Sequence, residues 1–361
     1  MSKKKILFVC PYPENVAPSQ RLKFEQYYDH FRAAGYDVHT TAFISPAFWK
    51  IIYKPGKLGG KIWHSFLGYC RRFGGLFRLR KYDVVYVHLW VTPFGPPVFE
   101  ALYRAFARRL VYDIDDLVYL GTKSKANPVT NWIKGRKKPV YLMRHADHVI
   151  TCTPYLDSFA RKYNQRTTDI SSTINTDLYR PKTDYSVKEK FIIGWSGSHS
   201  TSKYLHLLDG VLRELAKTYA FKLRVMGDAS FALDGVDVEA LPWKEEYEVG
   251  VIRSFDIGLY PLPDEEWILG KSGLKALQYM AAGVPTVATG IGTIHRIIED
   301  GINGFMVKSM DEWKEVIARL ITDEALRKRI GTEASKTVED RYSINANKTT
   351  YLSILHRLAA G

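Results

Sequence analysis

The sequence predicts an α/β protein made of two doubly wound parallel-sheet domains. Three observations predict it. Short continuous apolar runs alternate with helically spaced segments. The alternation pauses at a polar, proline-containing stretch and then restarts. The length, 361 residues, suits two domains of ordinary size. Continuous apolar strands separated by helices are what a parallel sheet covered on both faces requires.

In chain order, residues 5–10 (KILFVC) form the first strand and end at a proline-rich loop. Residues 20–34 have helical spacing and stop at Gly35, and 37–42 follow as a second strand. Runs 83–88 (DVVYVH), 109–113 (RLVYD) and 148–151 (HVIT) repeat the strand pattern. After the linker-like stretch 178–187 (LYRPKTDYSV), strands return at 191–195 (FIIGW), 222–226 (KLRVM), 256–260 (DIGLY) and 285–288 (PTVA). The expected domains are 1–180 and 181–340 with a cleft between them, followed by an apolar-striped helix in 341–361. Ligands of such sheets lie at the carboxyl ends of the strands.

Composition narrows the class. Hydrophobic content of 46% and charged content of 25% exclude disorder as the main state. The three cysteines, Cys10, Cys70 and Cys152, are widely spaced. They exclude a disulfide scaffold and a cysteine-based zinc site, and they suit a reducing compartment. The apolar run after Lys3-Lys4-Lys5 is too short for a signal-peptide core, and no stretch is long enough to span a bilayer, so the expectation is a cytoplasmic protein.

The net charge of +14 is concentrated. Segment 46–82 has nine Lys or Arg, nine aromatics and no acid. Segment 117–146 adds seven basic residues and again no acid, which leaves −2 for the rest. Basic residues interleaved with aromatics favour an anionic membrane surface. No recognisable nucleic-acid module accompanies them, so nucleic acid is not an expected partner. Glycines in 46–82 suggest two short helices joined by a loop.

The second half carries phosphate-binding chemistry. Ser272-Gly273-Leu274 opens a helix with apolar positions Leu274, Leu277 and Met280. Its first amides and positive dipole end suit an anion. Lys271 and Lys275 flank that start, where a cation is unfavourable unless an anion is bound. Gly197 and Ser198 lie in a small-residue loop after a strand, with Lys203 just beyond.

These segments carry a resemblance. LQYMAAGVPTVAT (277–289), with IEDGINGFMV (298–307), STINTDLYRP (172–181) and IGWSGSHSTSKYLHLL (193–208), is similar to the retaining glycosyltransferases of family 4, the glycosyl transferases group 1. The resemblance implies the GT-B fold, two Rossmann-like domains facing across a cleft, with the donor nucleotide in the second and the last helix crossing back to the first. It implies that Gly197, Ser198, Lys203, Lys271, Ser272, Gly273, Leu274, Lys275 and Gln278 bind a nucleotide-diphosphate sugar, with Lys203 and Lys275 catalytic. Two positions depart from the family. Ser198 stands where it has Arg, and its Glu-x7-Glu pair is replaced by Gly270 and Gln278; Asp264, Glu265 and Glu266 are candidate substitutes.

In the first half, Arg21 follows the loop after the first strand. His88 ends DVVYVH and resembles the family histidine that meets the donor sugar. Asp113, Asp115 and Asp116 cluster after another strand, either as ion-pair partners or as groups for acceptor hydroxyls, with Asp115 a candidate base. The implied reaction is retaining transfer to a glycan or lipid-linked acceptor, without metal or cofactor beyond the donor, on the inner face of the cell membrane. The alternatives are a nucleotide-sugar epimerase of the same fold and a non-enzymatic binder of anionic membranes.

Overall fold

The computed structural model describes residues 3–115, 117 and 137–360. They form two compact units. The first runs to Ser172 and includes the residues from Asn347 on; the second is Thr173–Ala346. The division falls at 172/173 instead of 180/181. Ile174 exchanges backbone hydrogen bonds with Tyr342 and Ile344, which ties residues 173–180 into the second unit.

The first unit is built on a six-stranded parallel sheet of β1 (Lys4–Cys10), β2 (Tyr36–Ala42), β3 (Val84–His88), β4 (Leu110–Asp113), β5 (His148–Thr151) and β6 (Thr167–Asp169), in the order β2-β1-β3-β4-β5-β6. β3, β4 and β5 are buried along their whole lengths, as strands covered on both faces must be. The segment expected to be one helix over 20–34 is instead a turn of helix at Pro18–Arg21, a 3₁₀ turn at Glu25–Tyr27 and a helix at Tyr28–Ala33. At the break, Lys23 is buried against the carboxyl ends of the strands. Segment 46–82 does form two helices, Pro46–Ile52 and Leu58–Leu76, but the second is long. Its glycines do not break it. Gly68 makes it possible, because a Cβ there would lie 2.7 Å from the Phe43 ring.

The second unit holds β7 (Phe191–Ser196), β8 (Phe221–Met226), β9 (Val238–Leu241), β10 (Ile257–Tyr260), β11 (Thr286–Thr289) and β12 (Phe305–Val307), in the order β12-β11-β10-β7-β8-β9. All pairs are parallel. This is the doubly wound order whose direction reverses between its first and fourth strands, β7 and β10, and the crevice at that switch point is where such sheets bind ligands. The expected last helix is Ile344–Ala360, and it follows the long helix Glu324–Tyr342. Ser343 separates them in an extended conformation, and its hydroxyl accepts from the Ala346 amide as an N-cap.

At the switch point, side-chain packing against β7 demands a glycine. A Cβ on Gly194 in β7 would lie 2.0 Å from the Phe255 ring, which is fully buried. Gly194→Ala should therefore destabilise the protein by at least the ~1–3 kcal/mol typical of overpacking. Phe255→Leu in the same chain should restore part of the loss. Urea unfolding of the single and double variants measures both.

Candidate functional site

In the second unit, the ends of β7 and β8 converge on Lys275. The Gly197 amide donates to the Met226 carbonyl at 2.9 Å, and a Cβ on Gly227 (φ +107°) would overlap the Gly197 carbonyl oxygen. The Ser196 amide donates to the Tyr279 hydroxyl at 2.8 Å, fixing the strand end against the helix Leu274–Ala281. A Cβ on Gly197 would meet the Trp195 ring at 2.4 Å and the Lys275 ammonium at 2.5 Å. Glycine at 197 thus makes the space that Lys275 occupies.

The helix bearing Lys275 starts from Gly273 in the left-handed region (φ +73°), where a side chain would also strike Ile297 at 2.4 Å. Leu277 and Met280 are fully buried and anchor the helix, and Leu274 packs against the same apolar cluster. The Lys275 ammonium lies over the Trp195 ring at 4.2 Å and the Tyr260 ring at 5.7 Å, and donates to the Thr201 hydroxyl at 3.3 Å. Among the described residues no carboxylate pairs with it. Burial, and after it the charge of Lys271, pull its pKa down to about 7. A desolvated ammonium between aromatic faces, at a sheet's switch point and in the first turn of a helix whose leading amides lack helical acceptors, is arranged to receive an anion.

The other expected donor residues divide. Lys271 is half-buried with its ammonium 5.3 Å from the Trp267 ring, and Ser272 is half-buried beside it. Ser198 is exposed and caps the short turn His199–Ser202. Lys203 is exposed, with its ammonium 5.0 Å from the Tyr204 ring. Gln278 is buried, and its side-chain nitrogen donates to the Tyr179 hydroxyl at 2.7 Å and to Glu248 Oε1 at 3.3 Å. Glu248 also accepts from the Trp243 indole at 3.0 Å. Sequence reasoning sought a carboxylate among Asp264, Glu265 and Glu266. The one next to Gln278 is Glu248, thirty positions earlier, and no local signal marked it.

In the first unit the residues gather at the β1/β3 switch point. His88 is fully buried at the end of β3, with Nδ1 3.0 Å from Asp113 Oδ2, at the end of β4. An ionised Asp113 accepts, so Nδ1 carries the proton. Nε2 lies 3.9 Å from Asp115 Oδ1 and has no hydrogen-bond partner among the described residues. Leu89 follows with φ +59°, a strained conformation for a branched residue. Asp113 is an ion-pair partner, but of Lys23 (3.2 Å), not of the basic segments. Lys23 also donates to the Thr151 and Ile170 carbonyls, each at 3.1 Å. Burial alone would raise the Asp113 carboxyl, yet the Lys23 charge and the His88 hydrogen bond hold it below the usual range.

The loop after β1 is equally organised. Gln20 bonds both the amide and the carbonyl of Tyr12, and Glu25 accepts from the Asn15 amide at 2.9 Å and from Gln20 at 2.9 Å. Burial raises the Glu25 pKa above its ordinary value. Arg21 is half-buried at the end of the short helix Pro18–Arg21. Asp116 lies outside the described residues, as do Lys123, Lys125, Lys134 and Arg136 of the second basic segment.

Comparison with known proteins gives this geometry a context. Residues 190–323, inside the second unit, match the family model "Glycosyl transferases group 1". A D-inositol 3-phosphate glycosyltransferase of Corynebacterium jeikeium is 34% identical over 95 residues, covering 26% of this chain and 22% of its own. An uncharacterized glycosyltransferase of Methanocaldococcus jannaschii is 25% identical over 233 residues, covering 61% of this chain and 62% of its own. The chain thus spans less than two thirds of each of these curated relatives. Among solved structures, sucrose-phosphate synthase from Thermosynechococcus elongatus superposes with a TM-score of 0.73 at 15% identity, covering 99% of this chain and 100% of that one. Anabaena Alr3699/HepE in complex with UDP and glucose gives 0.70 at 18%, covering 98% and 100%. The fold is the GT-B fold of these glycosyltransferases.

Lys23 supplies a stability test of the first unit. Lys23→Met leaves Asp113 buried without its cation, and removing one partner of a buried pair costs ~3–5 kcal/mol. Burial then raises the folded-state pKa of Asp113 above its unfolded value. Between the two values the folded state binds more protons, so the variant loses stability as pH rises through that window. Its deficit relative to wild type should therefore be largest near neutrality and shrink as pH falls toward ~4, the ordinary Asp pKa. Denaturant melts across pH 4–7 read this.

Proposed function

We propose that the chain is a retaining glycosyltransferase of family 4 type. It moves a sugar from a nucleotide-diphosphate sugar to a hydroxyl of a glycan or lipid-linked acceptor, at the cytoplasmic face of the membrane and without a metal ion. The observation that carries this reading is Lys275, a desolvated ammonium without a carboxylate, held at the switch point of a doubly wound sheet. The family match over 190–323 and the glycosyltransferase names of the relatives support transfer over the epimerase alternative.

Each group then has a role. The Lys275 charge and the first amides of its helix receive the diphosphate and stabilise it as the glycosidic bond breaks. Lys271 adds charge at the same helix start. Gln278 and Glu248, one turn further along and held together, meet the ribose hydroxyls, and the exposed Trp243 offers a face to the base. In the first unit, Asp113 fixes the His88 ring and leaves Nε2 to orient a sugar hydroxyl, while Asp115 binds the acceptor hydroxyl. The acceptor attacks from the face the diphosphate leaves, and the departing phosphate oxygen takes the acceptor's proton. The protein's share is positioning and electrostatics.

UDP, GDP, ADP and dTDP in a thermal-shift panel test the reading. A nucleotide at 100 times its Kd should stabilise the protein by ~2.7 kcal/mol. UDP is the first choice, because the Anabaena relative's complexes contain it. No stabilisation by any of the four would remove the donor site.

Lys275→Ala should fold normally and lower kcat by ~10²–10³, the loss typical of one preorganised donor. Proton linkage gives a second readout. At pH 8 the unliganded Lys275 is mostly neutral, since its pKa is about 7. A bound diphosphate restores the charged form, so binding at pH 8 should take up close to one proton, and binding at pH 6 almost none. Calorimetry in buffers of different ionisation enthalpy measures the difference, and Lys275→Ala should abolish it.

Gln278→Ala and Glu248→Ala should raise KM for the donor more than they lower kcat, because ribose contacts are equal in ground and transition states. A collapsed kcat with unchanged KM would place these residues at the reacting sugar instead.

A further inference from the structure

The helix Leu58–Leu76 is turned inside out relative to a helix that faces water. Its inward stripe holds His64, Gly68, Arg72 and Leu76. The Arg72 guanidinium is fully buried and donates to the carbonyls of Cys10, Thr41 and Val91. The outward stripe, at helical spacing, is Ile62, Phe66, Cys70, Phe73 and, just past the last turn, Phe77, with Trp63 alongside. These apolar side chains are 56–69% exposed. Trp63 stacks on Phe66, and Phe73 meets Phe77 edge-on. A surface helix ordinarily buries the apolar face and exposes the charge. A contiguous apolar face left in solvent marks an interaction surface.

The surrounding charge selects the partner. Lys50, Lys54, Lys57, Arg71, Arg78, Arg80 and Lys81 are all exposed around this stripe, and 46–82 contains no acid to offset them. A second copy of the chain would bring the same positive surface against itself, which like-charge repulsion disfavours. Between the end of this helix and β2 lies a cavity of about 440 Å3 lined in part by Arg71, Arg78, Gly74, Thr40 and Tyr82. Arg71 is held there by the Ala42 and Phe43 carbonyls. Aromatic rings at headgroup depth ringed by Lys and Arg are how a helix lies in an anionic interface. Among the described residues no helix is long and apolar enough to cross a membrane.

We propose that the outward stripe Ile62, Trp63, Phe66, Phe73 and Phe77 is a docking face that inserts into an anionic lipid bilayer, with the flanking lysines and arginines on lipid phosphates and the Arg71/Arg78 cavity taking a headgroup. It specifies the membrane partner of the glycosyltransferase reading and rests on that reading for what docking serves. Its test is independent of transfer.

The experiment is co-sedimentation of the whole protein with phosphatidylcholine vesicles, with or without 30% phosphatidylglycerol as the composition of the probe. Binding is expected only to the anionic vesicles. It should weaken by about tenfold or more between 0.1 and 0.5 M NaCl, as exposed charges are screened. Phe73→Ser/Phe77→Ser should lose about tenfold or more in vesicle affinity, because the inserted apolar area is removed. The pair is exposed, so its circular dichroism, melting temperature and nucleotide-induced thermal shift should match wild type. Equal partitioning onto both vesicle types, no binding to either at low salt, or full binding by Phe73→Ser/Phe77→Ser would overturn the proposal. So would a concentration-dependent dimer that the same substitutions dissolve in a protein that ignores vesicles.

Discussion

The second unit is organised around an ammonium that, among the described residues, folding leaves without an anion. Desolvating a lysine is unfavourable, and proteins ordinarily answer with a carboxylate or a set of carbonyls. Among the described residues Lys275 has neither carboxylate nor carbonyls; it has ring faces and one hydroxyl. Much around it exists to permit this. Gly197 vacates its space, Gly227 lets β8 pass the Gly197 carbonyl, and Gly273 turns the chain into the helix. The sign of the linkage follows. A lysine whose pKa falls on folding is held more protonated in the unfolded chain between about 7 and its ordinary value, so the unliganded protein gains stability as pH rises through that window. An anion reverses the sign by restoring the charge. Such a group is a cost to the empty fold and a gain to the occupied one, which is what a binding residue should be.

The first unit answers the same problem in the opposite way. Lys23 is buried, but it is saturated by Asp113 and two carbonyls. It has no capacity left for a ligand. Its effect passes through Asp113 to His88, whose Nδ1 is occupied and whose Nε2 has no hydrogen-bond partner among the described residues. The two lysines differ in their partners: Lys23 has a carboxylate and two carbonyls, Lys275 two ring faces and a hydroxyl. The acid cluster divides in the same way: Asp113 is held by the core, and Asp115 is partly exposed.

What could be read from the sequence follows from which forces are local. The central strands were legible because burial on both faces writes them as unbroken apolar runs, as in DVVYVH and FIIGW. Three of the four edge strands, Thr167–Asp169, Val238–Leu241 and Phe305–Val307, are short, and the first two are half-buried throughout, so no such run marks them. The small-residue loop and the lysine at a helix start were legible because each is a pattern of neighbouring residues. Lys23, Glu25 and Glu248 were not, because their roles depend on partners brought from other elements. Local propensity also misjudged Leu58–Leu76. Five glycines argue against a long helix, yet tertiary packing of Gly68, Arg72 and Leu76 prevails.

That same helix shows why charge counting alone misleads. Nine basic residues in 46–82 read as one uniform surface, but Arg72 is an internal brace that ties β1, β2 and the loop after β3 through their carbonyls. Its guanidinium pKa is lowered by burial, so the group is retained for geometry and not for solvent-facing charge. Once that arginine is inside, helical periodicity sends the residues between its turns outward, and those are Phe66, Phe73 and Phe77. The position of one buried side chain therefore decides which face of the helix the protein presents. An apolar face that a fold builds at the expense of solubility, beside a basic rim, is better explained by a partner than by chance exposure.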